Sequence, residues 1–230
     1  MRSLRHIRTA TVALGAVGLL AGCASLSSAW SSLTGPSQAE LDQRFAAIMK
    51  ASFRDQGIAK VDRLKQDDAN ALCSEAQVAG RPLAEAVAKR IEADNLKTVK
   101  APSDGRYLGD YGRGERLAQN GRGMTWTDAS TATGANGGNC YNCHQISKAE
   151  ISYGTIGPSL YNYGKLRGVT DPNAPAAKAI VEYTWGKLWN TRAYNACSNM
   201  PRFGHAGLLD EQQLKDLMAL LLDPKSPVNQ

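Results

Sequence analysis

The stretch "GGNCYNCHQIS", residues 137–147, sets two cysteines and a histidine in C-x-x-C-H spacing. The chain has 230 residues but only five cysteines and three histidines, so the clustering of three of them is informative. C-x-x-C-H is the attachment signature of c-type haem. Two thiols one helical turn apart can add to the two porphyrin vinyl groups, and the adjacent imidazole is then directed at the iron. Cys140 and Cys143 are therefore predicted to hold one covalent haem c, with His144 as the proximal ligand.

Two other kinds of site share part of this pattern. A thioredoxin-like redox pair is expected in a βαβ setting, and the Gly-rich, strand-poor surroundings of the motif do not offer one. A zinc site usually needs a second ligand pair at similar spacing, and the sequence contains none. Haem attachment is therefore the preferred interpretation.

A haem iron held by His144 has a second axial position. The candidates in the mature chain are four methionines and one unused histidine, namely Met49, Met124, Met200, Met218 and His205. Met49 and Met218 lie in amphipathic patterns and are interpreted as core filling, whereas Met124, in an upstream loop, stays open. Met200 precedes Pro201, which disfavours helix at Met200. Met200 is the predicted distal ligand and His205 the alternative, and a thioether gives a higher reduction potential than a second imidazole.

The first thirty residues have the pattern of an export signal. Three arginines precede an apolar run over residues 12–21, which is too short to span a bilayer. Residues 20–23, "LAGC", resemble a bacterial lipobox, so residues 1–22 are predicted to be removed and Cys23 to be lipidated. Ordinary cleavage nearby, for instance after Ala29, is the alternative. In either case the mature chain is expected outside the cytoplasm.

Charge and composition exclude several functions. The formal net charge of +6 falls to +3 without residues 1–22, which carry three arginines and no acidic residue. The remaining sequence has no basic stripe with interleaved aromatic residues, so nucleic acid is not an expected partner. It also offers no nucleophile paired with a base and no phosphate loop.

Hydrophobic periodicity predicts a mainly α chain without convincing strands. A capping box at Ser37 and Glu40 opens a helix whose apolar residues, among them Leu41, Phe45 and Ile48, are interpreted as core. Further helices are predicted at 67–76, from Pro82, within 111–123 and 176–189, and at the leucine-rich 208–224. The proposed organisation is a signal peptide at 1–22, a tether at 23–36, a helical extension at 37–105 and a C-terminal domain at 106–230.

The order of small helix, C-x-x-C-H, irregular middle, methionine loop and C-terminal helix resembles a class I cytochrome c. That resemblance implies a class I cytochrome c fold for residues 106–230, preceded by the N-terminal helical extension. In that family a proline carbonyl accepts a hydrogen bond from the proximal histidine. The segment "IGPSL" gives Pro158 that role toward His144.

Two further cysteines, Cys73 and Cys197, remain outside the motif. Outside the cytoplasm, paired cysteines tend to become disulfides, so a Cys73–Cys197 bridge is predicted. Two reduced buried thiols, or a bridge to another subunit, are the alternatives.

A closer resemblance extends over residues 68–225. The segments "RYLGDYGRGERLAQNGRGMTW", "GGNCYNCHQ", "IGPSL" and "NACSNMPRFGHAGLLDEQQLKDLMALLLDP" are similar to SoxX, the monohaem cytochrome subunit of the SoxAX complex of sulfur-oxidising bacteria. The resemblance implies a periplasmic heterodimer with SoxA, an L-cysteine S-thiosulfotransferase whose bond-forming site lies on SoxA. It also implies that thiosulfate is coupled to a cysteine of the carrier SoxYZ, and that this chain passes the electrons to a soluble cytochrome c.

The lipobox and the long helical stretch before residue 68 depart from the soluble SoxX pattern. They suggest a complex tethered to the periplasmic face of the inner or outer membrane. Without the family resemblance, the alternatives are a stand-alone periplasmic electron shuttle to an oxidase and a haem-based ligand sensor or assembly factor.

Overall fold

The computed structural model describes residues 35–230, which are mainly helical and contain no strand, only an isolated bridge between Gln56 and Ala59. The predicted signal peptide, most of the tether and Cys23 lie outside the described residues. The chain divides into two compact units, residues 1–54 and 55–230.

Helix α1, Gln38–Ser52, is the described element of the first unit and begins with the predicted capping box. The Ser37 hydroxyl accepts from the Glu40 amide, and the Glu40 carboxylate accepts from the Ser37 amide. The interpretation of its apolar residues as core is wrong for Leu41, Phe45 and Ile48, which are 43%, 63% and 59% exposed. Periodicity marks which side of a helix is apolar, but it does not supply a surface to cover that side.

Six helices belong to the second unit: α2 Asp68–Val78, α3 Glu85–Leu96, α4 Tyr111–Gln119, α5 Tyr163–Leu166, α6 Lys178–Trp189 and α7 Glu211–Leu222. Short 3₁₀ turns connect them, among them Cys140–Asn142 and Thr191–Ala193. Helix α3 was expected to begin at Pro82 and instead begins three residues later, after an extended lead through Ala84.

The centre of the second unit is the crossing of α4 and α7. A Cβ added at Gly114 would lie 2.1 Å from the Asp216 carbonyl oxygen, so the two helix backbones are in direct contact there. Helix α7 is buried continuously from Leu214 to Leu222, because it packs on several sides and not along one stripe. Its start is fixed by a capping box between Asp210 and Gln213.

Charged side chains bind α7 to α4 and to the segment before α4. Asp216 accepts two hydrogen bonds from the Arg113 guanidinium, at 2.8 and 3.0 Å. Lys215, whose side chain is buried, donates to Asp104 and Glu211, both at 2.7 Å. These contacts give two charged residues of a buried helix the partners that burial requires.

The segment after α3 is held against α6 by indole groups. Trp185 donates to the Lys100 carbonyl at 2.7 Å, and Trp189 donates to the Thr98 carbonyl at 2.9 Å. The Asn190 side chain donates to Thr98 and to Asn95, at 2.9 Å in each case. The predicted boundary at residue 105 therefore falls inside one compact unit, and the division into an extension and a C-terminal domain stays a prediction.

Candidate functional site

The C-x-x-C-H residues share one tight turn. The 3₁₀ turn begins after Asn139, which is in the left-handed conformation at φ 50°, and the amides of Cys143 and His144 donate to the Cys140 carbonyl at 3.0 and 2.9 Å. Cys140 and Cys143 are not joined to each other. Burial, and secondarily the neighbouring Cys143, raises the pKa of the Cys140 thiol to about 12. The turn thus presents two unbonded thiols and an imidazole within five residues.

The orientation of His144 is set by the following loop. Its Nδ1 lies 2.7 Å from the Pro158 carbonyl oxygen, as the family resemblance implied. A carbonyl can only accept, so Nδ1 carries the proton and Nε2 keeps its lone pair for a metal. A Cβ at Gly157 would lie 2.1 to 2.7 Å from three atoms of the imidazole ring. The ring therefore rests directly on the Gly157 backbone.

These residues fit a covalently attached haem. Two unbonded thiols are available in C-x-x-C spacing, and the imidazole has one nitrogen hydrogen-bonded to a carbonyl and the other available. Two backbone hydrogen bonds close the loop over the turn. The Gly157 amide donates to the Cys143 carbonyl and the Gly154 amide donates to the Tyr141 carbonyl, both at 2.8 Å.

Met200 lies in the irregular segment between α6 and α7. It is partly buried and packs against the hydrophobic core. Its amide donates to the Ser198 hydroxyl at 3.3 Å, and Ser198 in turn accepts from Thr191 at 2.9 Å. Met200 is thus held in a non-helical loop, as its position before Pro201 indicated.

The other candidates for the distal position differ in their surroundings. His205 is largely exposed on the same loop. The burial of the rest of its side chain, together with Arg202 and Arg192, lowers its pKa, whereas Asp67 has the opposite effect. Met218 is fully buried in α7, which agrees with core filling, and Met124 lies in a loop at φ 60°. The assignment of Met200 over His205 stays a prediction.

Cys73 and Cys197 are joined by a disulfide with Cα atoms 5.6 Å apart. The bond connects α2 to the loop three residues before Met200 and spans 124 positions of sequence. The Ala196 amide adds a hydrogen bond to Glu92 of α3 at 3.1 Å. The two N-terminal helices of the second unit therefore contact the methionine loop directly.

An ion cluster beside that disulfide was missed by the sequence analysis. The Asp67 carboxylate accepts from Arg192 through both oxygens at 2.8 Å and from Arg202 at 3.0 Å. Arg192 also donates to Asn70. The only signal in the sequence was Asp67 at the start of a predicted helix, because arginines 125 and 135 positions away in sequence leave no local pattern.

The geometry of the C-x-x-C-H turn and of His144 agrees with what a comparison with known protein families finds. The family model for cytochrome c matches residues 128–224. The chain carries a cytochrome c domain. The cofactor of such a domain is covalently bound haem c, and the characteristic activity of such domains is electron transfer.

A curated protein of Aquifex aeolicus (strain VF5), named an uncharacterized lipoprotein, is 37% identical to this chain over 136 residues. The alignment covers 57% of this chain and 58% of that protein, so the chain spans less than two thirds of its relative's length. Among residues 35–230, every helix is too short or too polar to cross a membrane.

Proposed function

We propose that this chain is a SoxX-type subunit that accepts electrons from the oxidative coupling of thiosulfate to a carrier cysteine and passes them on. The observation that carries the proposal is the methionine loop, in which Cys197 is bonded to Cys73 and Met200 is followed by Pro201 and Arg202. This combination is far more specific to SoxX-type chains than the C-x-x-C-H motif alone.

In this proposal four residues hold the haem. Cys140 and Cys143 are the covalent attachment sites, His144 is the proximal ligand and Met200 is the distal ligand. The haem supplies reversible one-electron chemistry. The chain orients His144 through the Pro158 carbonyl and packs Met200 against the apolar core. A thioether ligand favours the reduced state relative to a second imidazole and so raises the reduction potential.

The partners follow from the same proposal. SoxA would form the heterodimer and carry the bond-forming site of the L-cysteine S-thiosulfotransferase. The carrier SoxYZ would receive the thiosulfate sulfur, and a soluble cytochrome c would accept the electrons. This chain would serve as the electron-transfer subunit and would contribute no residue to bond formation.

Isolation of the tagged protein from its native cells tests the partner assignment. Haem staining and mass spectrometry should find one covalent haem on this chain together with a second haem-bearing subunit. Thiosulfate should then reduce the haem of the complex only when the carrier is present. Recovery of a lone monohaem protein would contradict the heterodimer and favour the stand-alone electron shuttle.

Replacing Met200 by alanine tests the distal ligand. The oxidised wild-type protein should show the weak red charge-transfer band of iron–thioether ligation, and Met200→Ala should lose it and bind CO after reduction. His205→Ala is the matched control in the same loop and should keep the band. Retention of the band in Met200→Ala would show that another side chain occupies the distal position.

We also propose that Cys23 anchors the mature chain to a membrane by its lipid. The "LAGC" motif and the name of the Aquifex aeolicus relative support this proposal. The mature N-terminus should be a diacylated Cys23, and Cys23→Ser should move the protein from the membrane fraction to the soluble fraction. An unmodified N-terminus at Trp30 would contradict the anchor.

A further inference from the structure

Met200 is bracketed by two connections to a single helix. Three residues before it, Cys197 is bonded to Cys73, within α2. Two residues after it, Arg202 donates to Asp67, the N-cap residue of the same helix. Pro201 lies between Met200 and Arg202 and fixes one backbone angle of the connection. A displacement of Met200 therefore has to strain a covalent bond on one side or break an ion pair on the other.

Asp67 holds two cations in one place. Its carboxylate bonds Arg192 through both oxygens, bonds Arg202 through one, and accepts the Asn70 amide at 2.8 Å as the helix cap. The side chain of Arg192 is only 8% exposed, that of Arg202 is 27% exposed and that of Asp67 is 40% exposed. Without the carboxylate, a buried guanidinium would lose its counter-charge and would face a second guanidinium. Such a loss is costly, because the buried charge cannot be solvated in place.

Repulsion between Arg192 and Arg202 in the absence of the Asp67 carboxylate would act on the loop that carries Met200. Arg192 belongs to the buried 3₁₀ turn that follows α6, and Arg202 to the segment that leads into α7. Repulsion between the two would separate the ends of the methionine loop. Phe203 is buried in the core, whereas residues 197–201 are partly buried or exposed, so these residues have more freedom to move than Phe203.

We propose that Asp67 is a positioning residue for Met200, acting through Arg202 and Arg192 to keep the thioether at the sixth position of the haem iron. The proposal rests on the proposed function, in which Met200 is the distal ligand. It assigns α2, which lies outside the residues matched by the cytochrome c family model, a role in ligand retention.

Asp67→Asn in the full-length holoprotein tests the proposal. Asparagine caps helices about as well as aspartate, so the change removes the carboxylate and retains the start of α2. Asp68→Asn is the matched control: it removes the same charge from the next residue, whose side chain forms no ion pair in residues 35–230. The readout is spectroscopic titration of the oxidised protein with imidazole, which binds iron only when Met200 has left.

The apparent Kd for imidazole scales inversely with the fraction of molecules in which Met200 has left the iron. We expect Asp67→Asn to lower this Kd about tenfold and to weaken the red charge-transfer band, and Asp68→Asn to change neither. Arg202→Gln removes the other partner of the ion pair and should shift the Kd in the same direction.

A purely structural role for Asp67 gives a different pattern. Asp67→Asn would then lower the thermal midpoint while its imidazole Kd, measured well below that midpoint, matched wild type, and this result would overturn the proposal. If Asp67→Asn yields no holoprotein, an unchanged Kd in Arg202→Gln overturns it equally. A band that persists in Met200→Ala would overturn the distal assignment itself, whereas a normal wild-type band with an unchanged Asp67→Asn Kd overturns only the role of Asp67.

Discussion

At the scale of single residues, the site depends on atoms that are absent as well as on side chains that are present. Gly157 has no Cβ, and the His144 ring occupies the volume that one would fill. The same residue donates its amide to the Cys143 carbonyl. Gly157 therefore serves both as the support for the imidazole and as part of the loop that presents the Pro158 carbonyl.

Gly157→Ala should displace the His144 ring, because the new methyl would overlap three of its atoms. We expect a loss of about 1–3 kcal/mol in the free energy of unfolding, the usual cost of overpacking, together with a shift in reduction potential. Chemical denaturation and redox titration of the holoprotein measure the two effects. Gly134→Ala, at a glycine whose added Cβ meets nothing within 4 Å, should leave both unchanged. An unaltered potential in Gly157→Ala would contradict the role assigned to this contact.

At the scale of elements, the crossing of α4 and α7 is the part of the core that the local sequence pattern predicts least well. The leucines of residues 208–224 predicted a helix, whereas the capping box between Asp210 and Gln213 was not predicted. The contact at Gly114 was not predictable, since a glycine in a helix carries no periodic signal. The same limit explains α1, whose apolar side was visible in the sequence although its exposure was not.

Gly114→Ala should separate the two helices, because its Cβ would collide with the Asp216 carbonyl and approach the Leu220 Cβ to 3.0 Å. We expect a destabilisation of at least about 2 kcal/mol. Gly112→Ala, two residues earlier on the same helix, meets no backbone atom of another element, only the side chains of Asp110 at 3.3 Å and Arg116 at 3.9 Å. Alanine is intrinsically favoured over glycine in helices by up to about 1 kcal/mol, so this control should be neutral or slightly stabilising. Equal losses in the two variants, measured by urea unfolding, would argue against a backbone contact at Gly114.

At the scale of the whole molecule, acidic groups with lowered pKa values join distant parts of the second unit. Hydrogen bonds from Lys215, and then from the Arg106 amide, lower the pKa of Asp104 from 3.8 to about 2. Burial alone would raise the pKa of Asp216, but Arg113, the Asp110 amide and Gln212 outweigh it and lower the pKa. Folding therefore favours the ionised form of both carboxylates.

The pH dependence of stability follows from these directions. A carboxylate with a lowered folded-state pKa contributes fully above its unfolded pKa and loses its contribution as the pH falls through the folded value. The free energy of unfolding should therefore decrease between about pH 4 and pH 2. Asp104→Asn should be less stable than wild type at neutral pH and should converge with it near pH 2. Urea unfolding across this range checks both, with Asp62→Asn as an exposed control expected to follow wild type throughout.

How much of the site was predictable depends on sequence distance. The attachment turn is local, so Cys140, Cys143 and His144 could be read from five positions, and the His144–Pro158 contact came from a family pattern. The Asp67 cluster joins residues that only the tertiary fold brings together. A nearly buried arginine also runs against the usual preference of arginine for the surface, so composition gave no indication of it.

The Cys73–Cys197 bond also has a consequence for how the protein is made. It encloses the entire attachment motif, so one pair of cysteines must be oxidised while the pair inside the enclosed segment stays reduced until haem is added. Four cysteines can form two bonds in three ways, and each of them consumes the thiols of Cys140 and Cys143. Mispairing would cost the protein its cofactor and the covalent restraint on its ligand loop in a single event. Maturation of the haem and of the disulfide should therefore be coupled through the supply of reducing equivalents in the compartment where both occur.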